Sequence, residues 1–250
     1  MKLFFSILMS LAVLTVQSQD IPVLLKEADN LEKQQKETDA LDKYKQILVL
    51  EPGNIKALVK AAELNISLSN RQADKNNRRL YIESSFSFAK RAIIADSMQA
   101  DANYAMAMAS GKMTDIETEN KKIVAYVKEV KQYTDKALSI NPNHAKANYT
   151  LGKWHYEMAT LSGIKKAAVK LFYGGLPEGN LESAIQYMEK CKTLEPYFVT
   201  NYLDLAKAYK ENRQPAKAIE ILLRLVKLPT RTTDDVALKA EGAKLLASMQ

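Results

Sequence analysis

Apolar residues return along this chain in helical steps of three and four, in pairs of runs separated by polar turns. The pattern is fullest between Asn148 and Leu194. Leu151, Gly152 and His155 share one face of a first helix; Ala184, Met188 and Cys191 share one face of a second; Pro196 closes the unit. The same arrangement repeats on both sides. The first pair carries Leu24, Ala28 and Leu31, then Ala40, Tyr44, Ile47 and Pro52. The second carries Leu58, Ala61 and Ala62, then Ser85, Ala89 and Ala92, with Ser97 in the closing slot. The third carries Met106 and Ala107, then Val130, Thr134, Ala137 and Pro142. The fifth carries Tyr202, Leu205, Ala206 and Tyr209, then Ala218, Leu222, Leu225 and Pro229. Five helix pairs are therefore expected at residues 21–52, 54–97, 99–142, 144–196 and 198–229, in one domain running from residue 19 to 250.

The closing slots at 52, 97, 142, 196 and 229 lie 45, 45, 54 and 33 residues apart. The last interval is near the ~34 residues of a tetratricopeptide (TPR) unit, which the small and large positions of each pair resemble. The longer intervals place extra residues between the two helices of a unit. Small residues let paired helices approach closely, and larger ones fill the gap to the next unit. The expected fold is all-α: a TPR-like α-α superhelix, a right-handed solenoid of helical hairpins. Such a stack leaves an apolar face at its end, so it needs a cap. TTDDVALKAEGAKLLASMQ supplies one as a helix over 233–249, with Thr232 or Thr233 as N-cap and Asp234 and Asp235 at the positive end of the dipole. Either its small stripe (Val236, Ala240, Ala243, Ala247) or its larger one (Leu238, Leu245, Met249) faces the stack.

Three stretches depart from the basic unit. SNRQADKNNRRL extends the second hairpin and TDIETENKKIVAY lengthens the second helix of the third pair. GIKKAAVKLFYGG in the fourth pair is a basic amphipathic helix ended by Gly174 and Gly175. It is expected to fold back onto the stack, with a membrane-touching helix as the alternative. The first residues, MKLFFSILMSLAVLTVQSQD, combine one lysine, an apolar run from Leu3 to Val16 and a small-residue site. They read as a signal peptide over residues 1–18 cleaved between Ser18 and Gln19, giving an exported, periplasmic or secreted chain with no membrane span after cleavage. An uncleaved anchor is the alternative.

Composition then narrows the function. Eight Gly and seven Pro in 250 residues are few and agree with helix throughout. The formal charge of +7, or +6 without Lys2, is spread along the chain and gives no nucleic-acid footprint. One cysteine, Cys191, excludes an intramolecular disulfide and fills a small core slot as an inert thiol. Two histidines cannot build a multi-histidine metal site: His144 is expected exposed in a repeat junction, and His155 buried and satisfied. No phosphate loop, dinucleotide fingerprint, nucleophile elbow or zinc-protease motif occurs. Neither enzyme activity nor a cofactor is expected.

A curled stack is lined on its inside by first helices. That lining is expected to include Val59, Glu63, Tyr104, Met108, Tyr149, Lys153, Tyr156, Leu203, Lys207 and Lys210, with Phe172 of the insert beside it. Tyrosines, a methionine and lysines suit an elongated ligand with apolar length and a negative end, either an acidic peptide or an anionic lipid. As a surface lysine, Lys207 is expected to tolerate Glu within about half a kcal/mol.

From Leu151 to about Leu246 the chain resembles the regulator of microtubule dynamics family. The carrying residues are LGKWHYEMA with Gly152, Trp154 and Ala159, then Leu161, Ile164, Lys166, Ala168 and Phe172. They continue through the Gly174 to Pro177 turn, Glu182-Ser183-Ala184, NYLDLAKAYKENRQPAKAI and LPTRTTDDVALKAEGAKLL. The resemblance implies a helical solenoid without catalytic residues. Its eukaryotic members are linked to microtubules and organelle contacts, and one has a TPR domain that binds and moves phospholipid. The export signal departs from those members and looks like that of a bacterial envelope protein. The expectation is a non-enzymatic TPR binding or scaffold protein of the bacterial envelope, engaging an acidic peptide or protein partner through its concave groove. The alternatives are a soluble phospholipid carrier whose apolar groove is covered by residues 163–175, and a structural member of an envelope assembly.

Overall fold

A computed structural model describes residues 20–249. The expected signal peptide and its cleavage site lie outside the described residues, as does the side chain of Phe172. Twelve helices and no strand occur among the described residues. The first pair is α1 (Ile21–Lys33) and α2 (Glu37–Leu50), and the second α3 (Ile55–Asn70) and α4 (Lys75–Ala95). The third is α5 (Ala100–Met113) and α6 (Asn120–Ile140). The fourth is α7 (Ala145–Thr160) and α9 (Leu181–Leu194), with α8 (Gly163–Tyr173) inserted between them. The fifth is α10 (Val199–Glu211) and α11 (Pro215–Leu225), followed by α12 (Asp235–Ala247). Each second helix packs on its own first helix and on the next one, and α3, α5, α7 and α10 also touch in succession. This is a solenoid, and its first helices make a continuous inner wall.

Small residues set the spacing within pairs. Gly152 of α7 faces α9 so closely that an added Cβ would lie 2.8 Å from Met188 Cγ and 2.9 Å from the Ala184 carbonyl oxygen. In the second pair Ala62 is fully buried, and its carbonyl accepts a hydrogen bond from Ser85 Oγ at 2.9 Å. Junctions are tied by another repeated device. Asn103 Nδ2, Asn148 Nδ2 and Tyr202 Oη each donate to the carbonyl six residues upstream, those of Ser97, Pro142 and Pro196, at 2.8, 3.1 and 3.0 Å. One register position thus pins three first helices to the turns that precede them.

The extra residues go mostly into helix. SNRQADKNNRRL spans the end of α3, a four-residue turn and the first turns of α4, so it lengthens the second helix as well as the hairpin. TDIETENKKIVAY makes a short loop and the start of α6, which like α4 runs 21 residues. The insert helix α8 ends at Gly174 and Gly175, whose φ values of +73° and +85° suit glycine; the Gly175 N–H donates back to the Val169 carbonyl. Helix α8 lies beside α6. Trp154 explains why. It is buried against Val130 and Met158, with Val127 and Leu176 packed around them, and its Nε1–H donates to the Val127 carbonyl at 3.0 Å. The chain entering and leaving the insert is therefore fixed to α6.

The cap shows its larger face to the stack. Leu238, Leu245, Leu246 and Met249 pack against the core built by α10 and α11, whereas Val236 is 64% exposed. Gly242 sits directly on Leu225, and Asp235 accepts hydrogen bonds from the backbone N–H groups of Arg231 and Thr232 and from Thr232 Oγ1.

Candidate functional site

The inner wall follows the 45-residue spacing. Lys56, Asp101 and Lys146 occupy one register position of α3, α5 and α7; Val59, Tyr104 and Tyr149 occupy the next, continued by Leu203 of α10. Glu63, Met108, Lys153 and Lys207 occupy a third. Two hollows open on this wall. One of about 650 Å³ lies between the N-terminal halves of α3, α5 and α7 and is lined by Val59, Lys60, Glu63, Tyr104, His144 and Lys146 among others. The other, about 450 Å³, is lined by Met108, Val130, Tyr149, Lys153, Trp154, Leu203, Asp204 and Lys207, with Leu238 and Glu241 of α12 as its far side. Tyr104 lines both.

Buried carboxylates, more than the lysines, organise this wall. Glu63 accepts from Tyr104 Oη at 3.0 Å and Lys146 Nζ at 2.6 Å, with Lys60 Nζ at 3.5 Å. Burial by itself would raise the Glu63 pKa; the Lys146 and Lys60 ammonium groups outweigh it and hold the carboxyl at about 2. Lys60 also pairs with Glu32, and Lys56 with Asp29, both on α1. In the second hollow Asp204, 6% exposed, accepts from Tyr149 Oη at 2.8 Å and Lys153 Nζ at 3.0 Å. Lys207 lies between Asp204 and Glu241, at 3.7 and 2.8 Å. Burial first, then these carboxylates, push the Tyr104 and Tyr149 hydroxyls well above the ordinary range, so both remain donors.

Of the lysines expected to await a negative ligand, Lys153 and Lys207 are thus already paired within the wall. Sequence reasoning missed Asp204, Lys60 and Lys146. The spacing of Lys56, Asp101 and Lys146 was the available signal, since charges of alternating sign recur at one inward register. Among the expected lining residues, Val59, Glu63, Tyr104, Met108, Tyr149, Lys153, Leu203 and Lys207 border a hollow; Tyr156 and Lys210 do not. Tyr156 packs against the core of the last two pairs, and Lys210 is exposed. Leu238 and Glu241 place α12 on the second hollow; among the described side chains none from residues 163–175 lines either hollow.

Two histidines differ from expectation. His144 is largely covered, its side chain 10% exposed. Its Nδ1 accepts from the Ala147 N–H at 3.0 Å as the N-cap of α7, which makes Nε2 the donor to Asp101 Oδ1 at 2.9 Å. His155 is only partly buried, stacked on Tyr187, and its Nδ1 is buried without a hydrogen-bond partner. Burial and then Lys131 lower its pKa, which keeps the ring neutral. Cys191 is fully buried, and burial pushes its thiol up to about 12, far from thiolate reactivity. Among the described residues no three or more His, Cys, Asp or Glu gather as metal ligands, and no helix is long and apolar enough to cross a membrane.

Lys207→Glu would place a third carboxylate between Asp204 and Glu241. The expected cost is about 1 kcal/mol, from a lost pair and like-charge contact, rather than the neutrality of a free surface lysine. Chemical denaturation reads this directly; an unmoved midpoint would mean that Lys207 does not hold these carboxylates in solution.

Among solved structures, a thermophilic TPR protein of Thermus thermophilus, TTC0263, superposes with a TM-score of 0.64 at 14% identity, covering 91% of this chain and all of that one. It establishes the fold. Regulator of microtubule dynamics protein 1 of Pongo abelii is 25% identical over 179 residues, 71% of this chain and 56% of the relative. Regulator of microtubule dynamics protein 2 of Homo sapiens is 26% identical over 163 residues, 65% of this chain and 40% of the relative. The chain thus spans about half the length of the curated relatives it matches. The family model described as Regulator of microtubule dynamics protein 1-3 matches residues 24–250, which covers every helix except the first turn of α1. The chain belongs to the regulator of microtubule dynamics family.

Proposed function

We propose that this chain is a non-enzymatic binding scaffold that holds an extended segment of a protein partner in its concave channel. The observation that carries the reading is the chemistry of the wall around Tyr104, the residue shared by both hollows. Ammonium and carboxylate groups compensate one another there, leaving apolar surface, hydroxyls and paired ions along a run of four first helices. A polypeptide, with neutral backbone donors and acceptors and intermittent apolar side chains, complements such a surface. An acidic segment would compete with Glu63 and Asp204 for the same lysines, so acidic residues of the partner belong at the rim, where Lys210 is exposed. With the export reading of residues 1–18, the setting is the bacterial cell envelope. The microtubule role in the relatives' names stays with those longer proteins.

A second reading, a phospholipid carrier, is favoured by the apolar part of the second hollow, where Val127, Val130, Trp154 and Leu203 meet Leu238. Native mass spectrometry of the protein purified from its own host, with lipid extraction alongside, separates the two. Protein free of lipid is the expected result. A phospholipid retained at one per chain would overturn the scaffold reading in favour of the carrier.

A further inference from the structure

The solenoid is closed by a contact between its second pair and its cap. Arg71, immediately after α3, donates from Nη1 to Asp234 Oδ1 at 2.7 Å, across 163 residues of chain. Its Nη2 engages the carboxylate of Glu37 on α2, which is 9% exposed. Ser67 Oγ and Asn70 Nδ2 approach the same Asp234 carboxylate at 3.5 and 3.4 Å. A guanidinium offers two carboxylates separate nitrogens of one rigid planar fork, where a lysine offers both a single flexible ammonium. Arg71 therefore bridges the first pair to the cap.

Besides this bridge, the cap helix is held by the Lys207–Glu241 ion pair and by part-buried side chains. Helix α12 packs on α10 and α11 through half-buried Leu238, Leu245, Leu246 and Met249, and only Asp235 and Gly242 of the helix are buried. It follows a non-helical stretch from Val226 to Asp234 that contains Pro229. Leu238 and Glu241 form the far side of the second hollow, opposite Ile66 and Asn70 of α3. The same helix thus caps the stack and stands across the channel.

We propose that α12 is a gate over the second hollow, latched by Arg71 and Asp234, and that once the latch opens the helix swings away from α3 on residues 226–233 to admit a ligand. The latch is part-exposed, with side-chain exposures of 31% for Arg71 and 25% for Asp234, so added salt weakens it.

Spin labels on Asn76→Cys and Ala243→Cys, both exposed positions, report the gate by pulsed dipolar spectroscopy of the ligand-free full chain. Buried Cys191 takes no label. With the latch intact the expected distribution is single and narrow. In Arg71→Gln, with helix content unchanged by circular dichroism, it moves several ångströms longer and broadens, and high salt moves the parent the same way. If Arg71→Gln fails to fold, Asp234→Asn gives the answer, because it releases the cap while leaving Arg71 on Glu37. Unchanged distributions in the folded variants would overturn the gate. The scaffold reading would be untouched, since the measurement contains no ligand.

Discussion

Gly152→Leu is expected to lower the stability of the chain by about 3 kcal/mol, at the upper end of overpacking costs. The cause is specific to this position. A Cβ alone would meet Met188 Cγ at 2.8 Å, the Ala184 carbonyl oxygen at 2.9 Å and the Met188 backbone nitrogen at 3.2 Å. The side-chain atom can turn away; the two backbone atoms move only if α7 and α9 separate. Separation would expose buried Leu151, Ala184 and Met188 in the middle of the solenoid. Gly111 makes the contrast. It lies inside α5, and a Cβ there would meet Val130 Cγ2 at an ordinary 3.6 Å. Gly111→Ala should therefore be neutral or stabilise by up to ~1 kcal/mol through helix propensity. Denaturant midpoints that moved equally for both variants would refute the close approach at Gly152.

The second large effect lies in the channel and depends on pH. Glu63 is held near 2 against an ordinary 4.5 because Lys146 and Lys60 outweigh its burial. A carboxyl whose pKa is depressed by folding stabilises the fold above its unfolded pKa, and that stability is lost as the pH falls through the folded value. Glu63 should thus contribute roughly 3 kcal/mol at neutral pH, declining from about pH 5 downward. Other lowered carboxyls such as Asp29 and Asp101 act in the same direction, so the informative quantity is the gap between the parent and Glu63→Gln. Gln keeps the shape and cannot ionise. The gap should narrow by roughly 2 kcal/mol between pH 7 and pH 3. A gap that stayed constant over this range would mean that Glu63 is not the ion the wall is built around.

These two residues show what was legible in the sequence. Gly152 could be read because a small residue recurs at one register, as Ala62, Ala107 and Ala206 in the other units, and helix approach imposes that periodicity. The paired helices followed from the same signal, as did the inward register of Tyr104, Tyr149 and Leu203. Charge was harder. A periodic pattern says that Lys153 and Lys207 face inward, but not that Asp204, one residue after Leu203, reaches both. Ion pairs between helices depend on the curvature of the stack, which 3.6-residue periodicity does not encode. Curvature also brings Arg71 to Asp234, which sets α12 beside the channel, a contact that no periodicity announces. The insert itself is explained by Trp154, whose hydrogen bond to α6 holds the chain on that side.

The most direct test of the channel as the binding surface is photocrosslinking in the native host from two positions. Met108 on α5 lines the second hollow; Ile94, near the end of α4, is 80% exposed on the outer helices. Each is replaced by a photoreactive residue, and adducts are mapped by mass spectrometry. The scaffold account predicts that position 108 captures one partner through a single contiguous segment and that position 94 does not capture it. Capture of the partner from position 94 with none from position 108 would place the binding surface on the outer face and contradict the account.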